Sequence, residues 1–355
     1  MSEAGLQELR DKLDAIDNEL LKLINERMEL VHQVGELKAK SGGAIYRPER
    51  EKAIIDRLEK LNVGKLNRAA IEALFLEIFA ISRNLELPEN IAYLGPEGSF
   101  THQAAEVRFG AMSSYISIGS IKGVFREVST KKAKYGVIPI ENSSNGIVSD
   151  TINCLSNYNL KIIAEVVLDI HHTLASNCDK VSEIKKIYSK DIAFEQCRKF
   201  LENFGLDEVE LIPVESTTKA AKLALNEPSS AAICPHVGAK LHNLPILFEN
   251  IEDKDNNKTR FFIVSDFDNA QSGNDKTSIL AKLPNTPGAL VEFLTDFDKA
   301  KINLTKIKSH IVEGVSIFFI DFSGHRDDEN VKEIFEKHDE SIKFLGSYVK
   351  EIDDI

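Results

Sequence analysis

Ala92-Tyr93-Leu94-Gly95-Pro96-Glu97-Gly98-Ser99-Phe100-Thr101 is where the character of the chain changes. Before it, apolar residues recur with helical spacing; after it, short apolar runs alternate with amphipathic stretches. Residues 91–94 read as a strand, Gly95 to Gly98 as a turn, and residues 99–109 as a helix that Ser99 or Thr101 caps. Hydroxyls and backbone N–H groups at such a helix start attract carboxylates and phosphates.

A chain of 355 residues suffices for two or three domains, each with its own core. Its 44 basic and 56 acidic residues leave a net charge of −12, which disfavours a general nucleic-acid or acidic-membrane surface. An anion site must then be a local cluster of cations. Cys154, Cys178, Cys197 and Cys234 lack Cys-x-x-Cys or zinc-ligand spacing and read as reduced thiols, with no metal or cofactor implied. There is no leader-like start and no apolar run of about 18 residues, so a cytoplasmic protein is expected.

Upstream, Leu6, Leu9, Leu13, Ile16, Leu20, Leu23, Arg27, Leu30, Val34 and Leu37 recur at spacings of three and four, a heptad seam. At ~1.5 Å per residue this is one helix of about 50 Å. The module of residues 1–88 has too little other chain to cover that stripe, so it is expected to dimerise. Gly42-Gly43 ends the helix, Pro48 opens a second reaching about residue 62, and Asn67 caps a third. Arg27 stands at a seam position where leucine is expected, and a buried charge needs a partner. Lys38 lies close to the same face, whereas Arg10 lies about 25 Å back along the axis and meets Arg27 only across an antiparallel dimer. Together with Arg50 and Glu51 on the second helix, and Ser82 and Glu86 on the third, they outline a polar pocket.

Leu9-Arg10, Glu26-Arg27, Val34-Gly35 to Lys38, and Arg50-Glu51 are similar to the all-helical chorismate mutase family across this module. The resemblance implies a cofactor-free Claisen rearrangement of chorismate to prephenate inside an intertwined homodimer. It puts the partner subunit's Arg10 with Arg27 and Arg50 on the two carboxylates, Lys38 and Glu86 on the ether oxygen, Glu51 on the substrate hydroxyl and Ser82 in the lining. A unimolecular rearrangement asks only that the substrate be held in its reactive shape and that charge developing on the ether oxygen be stabilised.

From residue 89 to about 270, strand-like runs at 91–94, 135–140, 161–167, 231–234 and 260–264 alternate with helical stretches such as 121–129 and 217–225, an α/β layout. Its strand ends carry polar loops: Ser99 and Thr101, Glu141-Asn142-Ser143-Ser144, and Ser216-Thr217-Thr218. Ligands bind at such ends in open α/β sheets. Tyr93 to Thr101, Gly136 to Ser143, Glu215-Ser216-Thr217 and Asn257-Lys258-Thr259-Arg260-Phe261 together resemble prephenate dehydratase. The resemblance implies two subdomains around a cleft, as in periplasmic binding proteins. Thr259 takes the catalytic role, Arg260 and Phe261 shape the site, and Ser99, Thr101, Asn142, Ser143 and Thr217 line it. Prephenate loses carbon dioxide and its ring hydroxyl together, so the leaving hydroxyl needs a proton donor, which the Thr259 hydroxyl supplies. His171-His172 is a rival acid.

Residues 275–355 read strand, helix, strand, strand, helix, strand, a ferredoxin-like α+β order. Asn285-Thr286-Pro287-Gly288-Ala289-Leu290 opens the first helix with a step where backbone approaches a ligand closely. The segment resembles an ACT domain, which implies an L-phenylalanine effector at Gly288, Ala289, Leu290 and Ser309. The family's second motif, Glu-Ser-Arg-Pro, stands here as Lys308-Ser309-His310-Ile311, from which weaker inhibition is expected. The whole is thus expected to be a multidomain, bifunctional enzyme of phenylalanine biosynthesis, a homodimer or higher oligomer acting on chorismate and prephenate. The alternative is a non-catalytic amino-acid sensor with a binding-protein-like core, against which Arg27 in the seam and Thr259-Arg260-Phe261 both speak. Phenylpyruvate formed from chorismate distinguishes the two.

Overall fold

The computed structural model of the chain describes residues 3–41, 48–86, 89–144, 146–254, 256–312 and 315–350, the side chains of residues 3–4, 38–41, 84, 86, 312 and 315–316 excepted. Two compact units result, Met1–Glu89 with Phe109–Ser114, and Asn90–Arg108 with Tyr115–Ile355.

The first unit holds α1 (Glu3–Ser41), α2 (Pro48–Leu61) and α3 (Arg68–Glu86), the three predicted helices. Asn67 caps α3, its Oδ1 accepting from the Ala70 N–H at 2.9 Å. The expected Gly42-Gly43 break lies outside the described residues. Ile55, Ile71 and Phe79 form a small core between α2 and α3, and Met28 of α1 is buried. The seam is not: Leu13, Ile16, Leu20 and Leu23 are 58, 56, 50 and 52% exposed. Amphipathic helices are stabilised mainly by packing their apolar face, and within one chain this face stays in water.

The second unit opens with β1 (Asn90–Leu94), α4 (Phe100–Phe109), β2 (Ser114–Ile118), α5 (Ile121–Ser129), β3 (Tyr135–Asn142), β4 (Gly146–Ile147), α6 (Ser149–Asn157) and β5 (Lys161–Asp169). The chain then builds β6 (Thr173–Ser176), β7 (Lys186–Ser189), α7 (Asp191–Gln196), α8 (Arg198–Asn203), β8 (Glu210–Pro213), α9 (Thr217–Asn226), β9 (Ser230–Cys234), α10 (His236–Leu241) and β10 (Ile246–Phe248). It returns as β11 (Lys258–Ser265) before β12 (Asp275–Ala281), α11 (Ala289–Lys299), β13 (Leu304–Val312), β14 (Val315–Ser323), α12 (Glu329–Lys337) and β15 (Ile342–Val349).

Three sheets form, ordered β2-β1-β3-β11-β5 with β4 on β3, β10-β6-β9-β7-β8, and β13-β14-β12-β15. Because β11 returns to the first sheet after the second is complete, two crossovers join the sheets, at residues 170–172 and 249–257. This is the predicted α/β pair of subdomains around a cleft. The last sheet, with α11 and α12, has the expected ferredoxin-like order, and it shares a core with the first. Phe262 and Val264 of β11 cluster with Phe319 of β14 and with Leu345 and Tyr348 of β15. At roughly 1.5–3 kcal/mol for each fully buried large side chain, that core binds residues 275–350 firmly to the sheet beneath.

Candidate active sites

In the second unit a cavity of about 320 Å³ opens where the two crossovers meet the ends of β1, β3 and β11. Ser99 starts α4, its Oγ accepting from the His102 N–H at 3.3 Å, and Ser216 caps α9 by accepting from Lys219 N–H at 3.1 Å. These short polar residues satisfy helix-start amides that would otherwise lack partners, and so fix two walls of the cavity. Thr259 and Asn142 face each other across the antiparallel β11–β3 pair. Asn142 Nδ2 donates to Thr259 Oγ1 at 2.8 Å and to Asn257 Oδ1 at 2.9 Å. With its oxygen already accepting, the Thr259 hydroxyl is left to donate its own proton.

His172 also lines the cavity, nearly inaccessible to solvent. Burial holds its imidazole below the ordinary value, more than the Gln196 hydrogen bond and the nearby Glu252 charge raise it. The ring is therefore neutral near pH 7, with Nε2 2.9 Å from Gln196 Oε1 and Nδ1 without a hydrogen-bond partner. Its neighbour His171 pairs with Glu252 at 2.5 Å and is not part of the lining. Exposed Lys190 is also among the lining residues.

In the helical unit, Arg27 Nη1 donates to Ser82 Oγ at 2.6 Å, and its guanidinium lies 5.7 Å from the Phe79 ring centroid. Ser82 Oγ in turn donates to the Ile78 carbonyl at 2.6 Å. The seam cation thus has the partner its position called for. Glu51 pairs with the buried Arg83. Arg10 and Arg50 are exposed.

Residues 9–87 match chorismate mutase type II, residues 91–269 match prephenate dehydratase, and residues 277–340 match the ACT domain. Along 97% of this chain, and 98% of its own length, a bifunctional chorismate mutase/prephenate dehydratase of Aquifex aeolicus is 40% identical. One from Pseudomonas aeruginosa is 38% identical over 98% of both chains. The chain belongs to the bifunctional chorismate mutase/prephenate dehydratase family. A crystal structure of prephenate dehydratase from Arthrobacter aurescens in complex with L-Phe superposes with a TM-score of 0.67 at 32% identity, covering 74% of this chain and 90% of that one.

The chain accordingly catalyses two consecutive steps of phenylalanine biosynthesis, chorismate to prephenate and prephenate to phenylpyruvate. No helix among its described residues is long and apolar enough to cross a membrane.

The expected dehydratase residues do not all converge. Ser99, Thr101, Asn142, Thr217 and Thr259 line the cavity. Ser143 is not in the lining; its Oγ donates to the Asn256 carbonyl at 3.2 Å and steadies the loop beneath. Arg260 and Phe261 are buried and outside the lining. Side chains alternate across a strand, so Arg260 points away from the face that carries Thr259. Its guanidinium meets Glu165 at 2.6 Å and Asp321 at 2.6 Å, and donates to Tyr348 Oη at 2.9 Å. Burial works against that charge, but Asp321, Tyr348 and Glu165 more than offset it and raise its pKa above the ordinary arginine value.

His172, Gln196 and Lys190 also line the cavity, and Arg83 holds Glu51, beyond the site residues expected from the motifs. For Arg83, the only legible signal is a cation next to Ser82. The side chains of Lys38 and Glu86 lie outside the described residues. In the ACT segment Gly288 takes a left-handed φ of 87° ahead of α11, while Ser309 sits on the edge strand β13.

Proposed function

We propose that Thr259 is the proton donor of the dehydratase step. The observation that supports this most is the Asn142 Nδ2 to Thr259 Oγ1 hydrogen bond, at 2.8 Å inside the cavity. The ring C–O bond of prephenate breaks as the carboxylate leaves as carbon dioxide, the electron pair of the C–C bond aromatises the ring, and the departing oxygen takes a hydrogen bond or proton from Thr259. The α4 start around Ser99 to Thr101 and the Lys190 ammonium suit the substrate carboxylates. Neutral His172 adds no charge. Thr259→Ala is expected to lower phenylpyruvate formation by on the order of a hundredfold, as for loss of a positioned donor, while Thr259→Ser retains much of it. Equal turnover in both variants would remove Thr259 from the chemistry.

For the mutase step the same reading puts chorismate against Arg27, Ser82, Arg50 and Glu51, with Lys38 and Glu86 on the ether oxygen and Arg83 orienting Glu51. The exposed α1 seam is covered by the α1 of a second copy, and the partner subunit's Arg10 completes the carboxylate site. The exposure of Leu13 through Leu23 supports this.

L-phenylalanine is the effector of the ACT segment, at Gly288, Ala289, Leu290 and Ser309. The Arthrobacter aurescens structure, a complex with L-Phe, supports the ligand class. Without the motif's arginine and proline near Ser309, half-inhibition is expected at higher phenylalanine than in relatives that carry Glu-Ser-Arg-Pro. Dehydratase activity titrated against phenylalanine measures it.

A further inference from the structure

Two strands carry the dehydratase pair, and both are gripped from behind. Thr259 faces Asn142 across β11 and β3, and one residue along, in the same register, Arg260 faces Glu141. Alternation sends the first pair into the cavity and the second to the opposite face of the sheet. There the ACT sheet presents a pair of its own, Lys306 opposite Asp321 across β13 and β14.

The charges are complementary point for point. Arg260 Nη1 meets Asp321 Oδ2 at 2.6 Å, and Lys306 Nζ donates to Glu141 Oε2. Each of these four side chains is at least nine-tenths buried. Around them Tyr348 Oη accepts from Arg260 Nη2 at 2.9 Å, and Ser278 Oγ lies 2.7 Å from Tyr348 Oη and 2.5 Å from Asp321 Oδ1. Glu165 takes a second bond from Arg260 and a 3.0 Å contact from Lys276, so two buried cations face two buried anions on this side.

Buried charge held this closely resists displacement, because moving one member leaves another unpaired in a dry environment. We infer that Arg260 and Glu141 are positioning residues of the dehydratase, through which the ACT sheet fixes the separation and orientation of Thr259 and Asn142. The ACT segment is then a built part of the dehydratase site as well as its sensor, since β13, which carries Ser309, also carries Lys306. This inference rests on the catalytic reading of Thr259.

The test uses the full-length protein, with mutase turnover in the same preparation as the internal reference. Lys306→Met and Asp321→Asn are expected to lower dehydratase kcat by roughly ten- to a hundredfold, the range for a slightly misplaced catalytic group. KM for prephenate should stay within about twofold, mutase turnover should be unchanged, and Lys306→Arg should restore most of the loss. Tyr348→Phe, which loosens Arg260 without altering any charge, should show a smaller fall of the same kind even where Asp321→Asn fails to fold. Unchanged kcat in both Lys306→Met and Tyr348→Phe overturns the inference, as does a loss carried mainly by KM. Thr259→Ala is run alongside: if it keeps full activity, the catalytic reading has failed, whereas a dead Thr259→Ala beside fully active clamp variants leaves that reading standing and removes only this inference.

Discussion

The helical unit and the dehydratase–ACT unit dispose of awkward residues in opposite ways. In the second, buried charges on four strands, Glu165, Arg260, Lys276 and Asp321, find their partners inside the same chain, with the Tyr348 hydroxyl of a fifth. In the first, one chain satisfies Arg27 and Glu51 but leaves the apolar seam of α1 in water. The difference separates what one chain completes from what it leaves open. A sheet packed on a sheet has two broad faces to close over polar groups; a single long helix has one stripe and needs another helix to cover it.

Arg27→Ala strikes the comparison hardest. Removing a charged donor from a preorganised site costs on the order of a hundredfold in rate, so chorismate consumption is expected to fall by about that factor while added prephenate is still converted at the wild-type rate. Parallel loss of both activities, followed in one preparation, would break the division into two independent sites.

Leu20→Glu sharpens the same comparison. If the first unit were complete in one chain, a charge at this half-exposed position would change stability by no more than about 0.5 kcal/mol and leave turnover alone. With the seam buried against a second copy, it is expected to shift sedimentation to a smaller species and lower mutase activity by roughly tenfold or more, since a buried unpaired carboxylate is costly. Retained assembly with full mutase activity would refute the borrowed face.

Much of this was legible in the sequence because its signals are local. Heptad spacing fixed α1, Asn67 and Ser99 marked helix starts, and the polar strand ends pointed to Ser99, Thr101, Asn142 and Thr217, which share one cavity with Thr259 of the family motif. Arg260 does not reach the cavity because neighbours on a strand take opposite faces, which a motif read as a string does not show. Its true partners carried a signal of their own. Glu165, Lys276 and Asp321 are charges inside strands that otherwise read as buried, Ala164-Glu165-Val166 and Ile320-Asp321-Phe322 among them. Such charges announce a paired interior, but which strands pair is a long-range fact that local spacing does not contain. Glu51 likewise had an evident role but no evident partner, because Arg83 lies on another helix.

The tight side of the comparison can be probed without touching charge. Gly346 on β15 has a φ of 153°, and a Cβ there would stand 2.1 Å from the Ile162 carbonyl oxygen of β5. Neither the conformation nor the space admits a side chain, so Gly346→Ala must push the ACT strand off the sheet beneath or strain both. A loss of about 1–3 kcal/mol is expected, seen calorimetrically as a lower midpoint for the larger unit. An unshifted midpoint would mean that the two strands yield freely at this point.

The smallest expected effect concerns pH and the buried imidazole of the cavity. Burial depresses the His172 pKa below its ordinary value of 6.5. As pH falls through about 6.5 the unfolded chain takes up a proton that the folded chain still refuses, so the unfolded state binds more protons there and stability declines with falling pH. The contribution of neutral His172 is whole above that value and is lost as pH falls toward the lower folded pKa. The carboxylates whose pKa values are lowered by their partners, Asp56 chiefly by Arg68 and Asp296 chiefly by Lys337, lose stability only as pH falls below the ordinary carboxylate range. The interval from about pH 7.5 to about 5.5 therefore isolates the imidazole from them. Across it the melting temperature of the larger unit is expected to fall by a few degrees more in the wild type than in His172→Gln, whose amide accepts no proton. The helical unit, which does not contain His172, should show no such difference. Equal slopes for wild type and variant would mean that water or a reorienting Gln196 accommodates the imidazolium, and that the cavity is less dry behind Phe100 than its packing implies.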